Sequence, residues 1–556
     1  MKYVRLLVLV LVVMSLVLAA CGAEPTPEAI TEPTQAPAPT VVVEATEKPA
    51  ADAPAEKVFR YHFGSDYAGA RLDPNVTFNL LAADLFAGLT LLNHDGKVVA
   101  GDGAAKSWDI SDDGLTYTFH LYNDMKWSEG TPLTAHDFEF SWKRALDPAT
   151  KSLRAWQIYL VEGAEAYATG EGSRDDVAVR ATDDYTLEVT LKQVAPFFPD
   201  FIAVNNVFYS VPRHVVEAAG DTWTDTGTVV FSGPFLISEY VPDSLIVMEP
   251  NPGWTRQRPS IDRVEYNIIP ETATALAQYQ ADELDFVQGI PLGEIELIQN
   301  DPALADQFTT FSESRIMCLD FNVTKPPFDN VKVRQALVAA VNQSALTQGP
   351  FRGVLDPATS LRPPGIPGEE FDSVSNLFNP ERARELLAEA GYPNGEGFPE
   401  IKLQGRNQED SRIAAEFLQG QISEILNIPV TVEILEYNAF IDLTERGEGD
   451  MYLHAIFFRA PDLYDLFGVV QNTVHNYGQW ENEEWDELLA SAAVEGDAAK
   501  RAEMYNEAEM TIIDNAVLVP LWITDRPSLV KPRVKGLLDD SRGIWTFTWE
   551  YIDIVE

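Results

Sequence analysis

The chain has 556 residues, 46% of them hydrophobic, with 28 Phe, 19 Tyr and 11 Trp; that is too long for one ordinary core and apolar enough to fill two or three. Its 86 acidic and 40 basic side chains give a formal charge of -46, which argues against binding nucleic acid or lying flat on an anionic membrane. Of the two cysteines, Cys21 lies outside the folded region, so neither a disulfide framework nor a cysteine metal site is available within it, and Cys318 reads as a buried small hydrophobe.

Lys2 and Arg5 precede an apolar run from Leu6 to Ala20, shorter than the roughly 20 residues a spanning helix needs, so residues 1–20 read as an export signal. The run ends Leu18-Ala19-Ala20-Cys21, which resembles the bacterial lipobox. That resemblance implies a diacylglycerol on Cys21, with acyl chains as the membrane anchor in place of a span. Residues 21–56 are almost wholly Ala, Pro, Thr, Val and Glu, without an aromatic ring; they cannot build a core and are expected to form a disordered tether.

From Lys57 the pattern becomes that of an α/β protein. Lys57 to Gly64 alternates as a strand and is followed by Leu72-Asp73-Pro74 and then the run Asp84 to Leu89. In the stretch from Leu115 to Pro148, Tyr117, Phe119 and Leu121 alternate on a half-buried strand, Ser128-Glu129-Gly130 turns, and Thr134 opens a helix carrying Phe138, Phe140 and Trp142. A strand follows near Tyr185. Ser232-Gly233-Pro234-Phe235 leads into a hairpin and a structural Trp254, Asp262 to Pro270 is a strand, and a helix from Thr274 ends at Asp282-Glu283-Leu284-Asp285-Phe286. Ile316 to Asn322 is a buried strand that Pro326-Pro327 must end, because neither proline offers a ladder donor. Asp329 or Asn330 then caps a helix that presents Val333, Leu337, Ala340 and Val341 on one face. Asn379, Pro380 and Gly391 mark the cap, first position and end of another helix, and Val430 to Leu435 is a strand leading to Tyr437.

Motifs of chemistry are few. Asp109, Ser111, Asp113 and Gly114 imitate the start of a calcium loop, but His120 stands where a bidentate glutamate is needed, so a β-turn is expected. Gly101, Gly103 and Lys106 miss both phosphate-loop spacings. Neither HExxH nor GxSxG occurs, and the seven histidines are scattered. No catalytic residue, metal or cofactor is expected. The rival class is a surface hydrolase using an acidic pair such as Glu483 and Glu484 or Asp112 and Asp113; solvated turns and helix faces account for both pairs.

The sequence from Phe321 to Leu337, FNVTKPPFDNVKVRQAL, together with the ordered motifs above, resembles the peptide- and nickel-type extracellular solute-binding proteins (family 5), nearest to the oligopeptide-binding members. The resemblance covers nearly everything after Lys57. It implies a two-lobed α/β fold of the periplasmic-binding-protein type (class II): one lobe from residues 57–85, 198–312 and 525–556, an inserted subdomain from 86–197, and a second lobe from 313–524. It also implies a monomeric binding subunit of an ABC importer, exported and lipid-anchored outside the cytoplasmic membrane, that closes on its ligand and presents it to a membrane permease. By position, Phe78, Asn79 and Leu80 would pair with a bound peptide backbone, although a helix-entry segment capped by Asn79 accounts for them equally. Trp156 and Tyr437 would offer aromatic faces to the ligand, and Gln288 and Gly289 would meet it near the hinge. The run Ile456 to Asp465 departs from the family: Asp462 matches the aspartate that pairs with a peptide amino terminus only if residues are inserted, while an ungapped reading puts Arg459 there. Because Trp156 and Tyr437 could stack on sugars as well, an oligosaccharide is the alternative ligand.

Overall fold

The computed structural model describes residues 56–64, 72–77, 81–93, 97–363, 368, 370–375, 377–457, 463–464, 467, 476–537 and 551–555. Its strands in chain order begin with β1 (Val58–Phe63), β2 (Ala105–Ile110), β3 (Thr116–Leu121), β4 (Val179–Asp183), β5 (Thr186–Thr190), β6 (Phe235–Val241) and β7 (Leu245–Pro250). They continue with β8 (Arg263–Ile268), β9 (Phe286–Gln288), β10 (Phe308–Phe321), β11 (Ile401–Arg406), β12 (Val430–Leu435), β13 (Met451–Phe457) and β14 (Leu518–Val530). One sheet runs β12-β11-β13-β10-β14-β9-β1-β8-β7-β6, and β2-β3-β5-β4 forms a separate one.

Two long strands carry the large sheet from one half to the other. β10 and β14 pair antiparallel along their length, but the register slips between Ser312/Asp525 and Ile316/Ile523. Beyond that slip, Arg315–Phe321 pairs with β13 on its other edge, whereas Ser528–Val530 of β14 pairs with β9. The halves have separate cores. One cluster gathers β1, β8 and the inserted sheet around Phe59, Phe119, Trp142 and Phe198; a second packs Met317, Leu319, Leu337, Leu403 and Leu453; a third joins Ile316, Cys318 and Tyr505 on the other face of β10. The alternation of Met317 and Leu319 with Ile316 and Cys318 follows from the two-residue period of a strand buried on both faces.

Local expectations hold over most of this frame. The Asn330 side chain accepts from Lys332 N at 3.0 Å and caps the helix Val331–Ala339, whose Val333 and Leu337 are buried with Ala340 and Val341 beyond its end. Thr134 opens the helix Ala135–Ala145 through a capping box with Asp137. Asn379 accepts from Arg382 N at 3.0 Å, Pro380 begins the helix Pro380–Glu389, and Gly391 follows it at φ 102°. The false calcium loop is a turn: Gly114 N donates to the Ser111 carbonyl at 2.8 Å, and the Asp113 carboxylate accepts from Ser111 Oγ and Leu115 N.

Two strands exceed their sequence signal. β10 begins at Phe308 rather than Ile316, and β14 runs unbroken through both Pro520 and Pro527. A proline removes one ladder donor without removing the carbonyl, and β14 tolerates Pro520 beside a second register shift at Met317/Cys318.

Between the helix Gln343–Gln348 and Asn379 the described residues form no long helix or strand and are tied down by a buried carboxylate. Arg362 and Glu509 are both buried, with Arg362 Nε 3.0 Å from Glu509 Oε2. Leu361 N and Ser373 Oγ complete the carboxylate at 2.9 and 2.7 Å, and Arg362 Nη2 donates to Asn506 Oδ1 at 2.7 Å. Removing the cation alone strands a charge in the core. Arg362→Ala is expected to lower stability by about 3–5 kcal/mol in urea denaturation, with Arg362→Met/Glu509→Leu recovering most of it; an unchanged midpoint in Arg362→Ala would contradict the reading.

Candidate functional site

Two groups of the expected ligand residues lie within the described part of the chain. The first surrounds the Leu72-Asp73-Pro74 turn. Arg144 grips the Asp73 carboxylate with both terminal nitrogens at 3.1 and 2.7 Å, Trp223 Nε1 donates to it at 3.0 Å, and Asn75 N closes the turn onto Oδ1 at 3.0 Å. The buried Asn75 amide donates to the Val207 and Tyr209 carbonyls. Leu153 N donates to the Val76 carbonyl at 2.9 Å, which draws the short helical turn Ala155–Leu160 alongside. Gln157 anchors that turn through its amide to Asn205 Oδ1 at 2.6 Å, leaving Trp156 40% exposed. An exposed tryptophan on a fixed turn is an apolar face available to a ligand.

The second group is at the end of β9. Gln288 is buried, and its Nε2 donates to Tyr61 Oη at 2.7 Å and to the His62 carbonyl at 3.2 Å, while Arg526 Nη1 donates to its Oε1 at 3.1 Å. Its side chain therefore ties β1 to β14 and points into the protein. Gly289 then adopts φ +71°, and a Cβ built there would meet open space. The Gln288 side chain is thus committed to protein partners, and beside it Gly289 leaves open space where a Cβ would stand. His62 completes this support: its Nε2 lies 3.0 Å from the Ile269 carbonyl, and its Nδ1 accepts from Gln288 N at 3.4 Å. A carbonyl partner on one side and an N–H on the other fix the neutral Nε2–H tautomer.

Of the remaining expected residues, Tyr437 opens the helix Tyr437–Glu445, and only its backbone is described. Phe78, Asn79, Leu80, Arg459, Asp462 and Cys21 lie outside the described residues. The paired acids Glu483 and Glu484, like Asp112 and Asp113, are exposed. Among the described residues, no group of three or more His, Cys, Asp or Glu could hold a metal ion, and no helix is long and apolar enough to cross a membrane.

Residues 101–477 match the model of the bacterial extracellular solute-binding proteins, family 5. The chain belongs to this family. It is 32% identical over 510 residues to the probable deoxycholate-binding periplasmic protein YgiS of Escherichia coli K12, covering 88% of this chain and 93% of that protein. It is 31% identical over 472 residues to the oligopeptide-binding protein OppA of Bacillus subtilis, covering 82% and 85%. A crystal structure of a periplasmic oligopeptide-binding protein (OppAIV) from Borrelia burgdorferi superposes with a TM-score of 0.76 at 29% identity, covering 90% of this chain and all of that one.

The architecture is accordingly the two-lobed α/β fold of the periplasmic binding proteins, and the family's members bind solutes. Sequence reading missed Arg144, Trp223, His62 and Arg526, which support the expected residues from distant parts of the chain. His62 also gives the family fold a titratable support. Burial holds its imidazole below the ordinary 6.5, and the Arg526 cation adds to the depression, against a carbonyl hydrogen bond from Ile269 that opposes it. The unfolded chain takes this proton near pH 6.5 and the folded chain only at lower pH, so the associated stability is complete above that value and is lost as the pH falls through the folded value. Thermal unfolding between about pH 8 and pH 5 should therefore show a shallower acid loss in His62→Gln than in the parent; parallel profiles would rule His62 out as the source.

Proposed function

We propose that the chain is the substrate-binding lipoprotein of an ABC importer, capturing oligopeptides between its lobes and presenting them to a membrane permease. The observation that carries this reading is the β10/β14 crossing: two separately cored halves joined by two strands whose register slips between Ser312 and Ile316. Such a joint lets the halves rotate about a few residues without breaking either core. Lobe one takes residues 57–85, 198–312 and 525–556, the inserted subdomain 86–197, and lobe two 313–524. No catalytic chemistry is required, and Cys21 carries the lipid that retains the protein outside the membrane.

The peptide ligand is supported by the names of the relatives in Bacillus subtilis and Borrelia burgdorferi. Micromolar capture needs about 8 kcal/mol, which about six net hydrogen bonds of about 1 kcal/mol each, with apolar burial, would supply. The Gly289 backbone, the segment Phe78 to Leu80 and the faces of Trp156 and Tyr437 are the groups assigned to that task, with Asp462 or Arg459 at the end of the ligand. A second reading, an amphipathic steroid carboxylate, is favoured by the name of the Escherichia coli relative; Arg459 in place of an aspartate would suit its charge.

Native mass spectrometry of the protein as purified, then calorimetry with a pool of tri- to pentapeptides and with deoxycholate, separates the two. The peptide reading predicts co-purified peptides of varied sequence and a loss of about 2–5 kcal/mol in peptide affinity on Asp462→Ala, because the ligand ammonium would be left desolvated and unpaired. Deoxycholate binding without peptide binding would replace it with the steroid reading, and binding of neither would reject both.

A further inference from the structure

Leu463, Tyr464 and Phe467 belong to the run between β13 and the helix Glu483–Val494, and their side chains go to different halves of the molecule. Leu463 and Phe467 are buried in the cluster built on Ile316, Cys318 and Ile456. Phe467 stacks on Tyr505 with ring centroids 5.5 Å apart and planes 12° from parallel, and meets Trp485 edge-on at 6.3 Å. These contacts root the run in the second lobe.

Tyr464 packs the other way. Its ring belongs to the first lobe's cluster, stacked on Phe197 at 4.3 Å and 23° and edge-on to Phe201 at 6.5 Å and 79°. Phe197 and Phe201 brace each other at 6.1 Å, and Phe201 rests edge-on against Phe208 at 5.8 Å. Both receiving rings are buried, at the start and within the helix Phe198–Val204. One short piece of backbone thus grips both lobes at a place separate from the β10/β14 crossing. Rotation about that crossing has to part Tyr464 from Phe197, since the neighbours Leu463 and Phe467 are held in the second lobe's core while Phe197 is held in the first lobe's.

We propose that Tyr464 and Phe197 form an interlobe clasp that biases the lobes toward closure and slows ligand escape. The proposal deepens the capture reading above and rests on it. Stacking supplies the attraction, and the Tyr464 hydroxyl is not needed for it.

The test compares the full chain with Tyr464→Ala, Tyr464→Phe and Phe197→Leu, the last approaching the contact from the other lobe with little loss of volume. Hydrogen exchange of the ligand-free proteins is expected to quicken severalfold in Phe198–Val204 on Tyr464→Ala, and around Leu463 on Phe197→Leu, with Tyr464→Phe behaving as the parent. Affinity for the tri- to pentapeptide pool is expected to fall about three- to tenfold in Tyr464→Ala, through faster dissociation, and no further when Phe197→Leu is added. Unchanged exchange across the lobes, or additive losses of affinity, would overturn the clasp. If the parent binds no peptide, the capture reading fails on that result, while the exchange comparison still decides whether the clasp exists.

Discussion

The structure depends on the ladder between β10 and β14. In the order of the large sheet, everything on one side is reached through β10 and everything on the other through β14, so this pairing carries the connection between two independently packed cores. An uninterrupted antiparallel ladder of that length would resist bending, because each step fixes two hydrogen bonds in register. The slip between Ser312/Asp525 and Ile316/Ile523 removes that constraint over a few residues. The cores on either side stay intact because close-packed interiors move as bodies rather than deform.

Turns and irregular segments are secured by shielded carboxylates whose lone pairs are filled, Glu509 buried and Asp73 partly so. Asp73 receives Arg144, Trp223 and Asn75, and Glu509 receives Arg362, Leu361 and Ser373. Asp285, also buried, accepts from Arg60 N at 2.7 Å and Arg533 Nε at 2.5 Å. The turn before it shows how such fixing permits a local cost. Asp282 sits at φ +66°, and a non-glycine residue there costs about 1–2 kcal/mol. Arg533 and Lys531 pair with its carboxylate at 2.9 and 3.1 Å and hold it below the ordinary carboxylate range. Exposed pairs contribute at most about 1 kcal/mol each, so together they are of the same order as the strain.

What the sequence made legible follows the range of each interaction. Caps at Asn330, Thr134 and Asn379 depend on atoms two to three residues away, and strand alternation at Tyr117, Phe119 and Leu121 depends on a period of two, so both could be read directly. β14 could not be read as one strand, because Pro520 and Pro527 argue locally against a strand that only pairing with β10 and β9 maintains. Gln288 and Gly289 were singled out through the order of motifs, yet the inward turn of the Gln288 side chain was hidden. His62 and Arg526, which turn the Gln288 side chain inward, lie more than two hundred residues away along the chain, and no periodicity encodes such a partner.

Energetics limit what an interlobe contact can do. An aromatic pair contributes about 0.5–1.5 kcal/mol beyond its buried area, which changes an open–closed ratio by about two- to thirteenfold at RT of about 0.59 kcal/mol, whereas moving a population from one extreme to the other takes about 5.5 kcal/mol. Tyr464 on Phe197 therefore tilts the balance without deciding it, and the ligand's differential contacts with the two lobes must supply the rest. A stronger clasp would keep ligand out as well as in, since entry needs the same parting of the rings as escape. A modest contact set apart from the slipped ladder is what a reversible capture device requires.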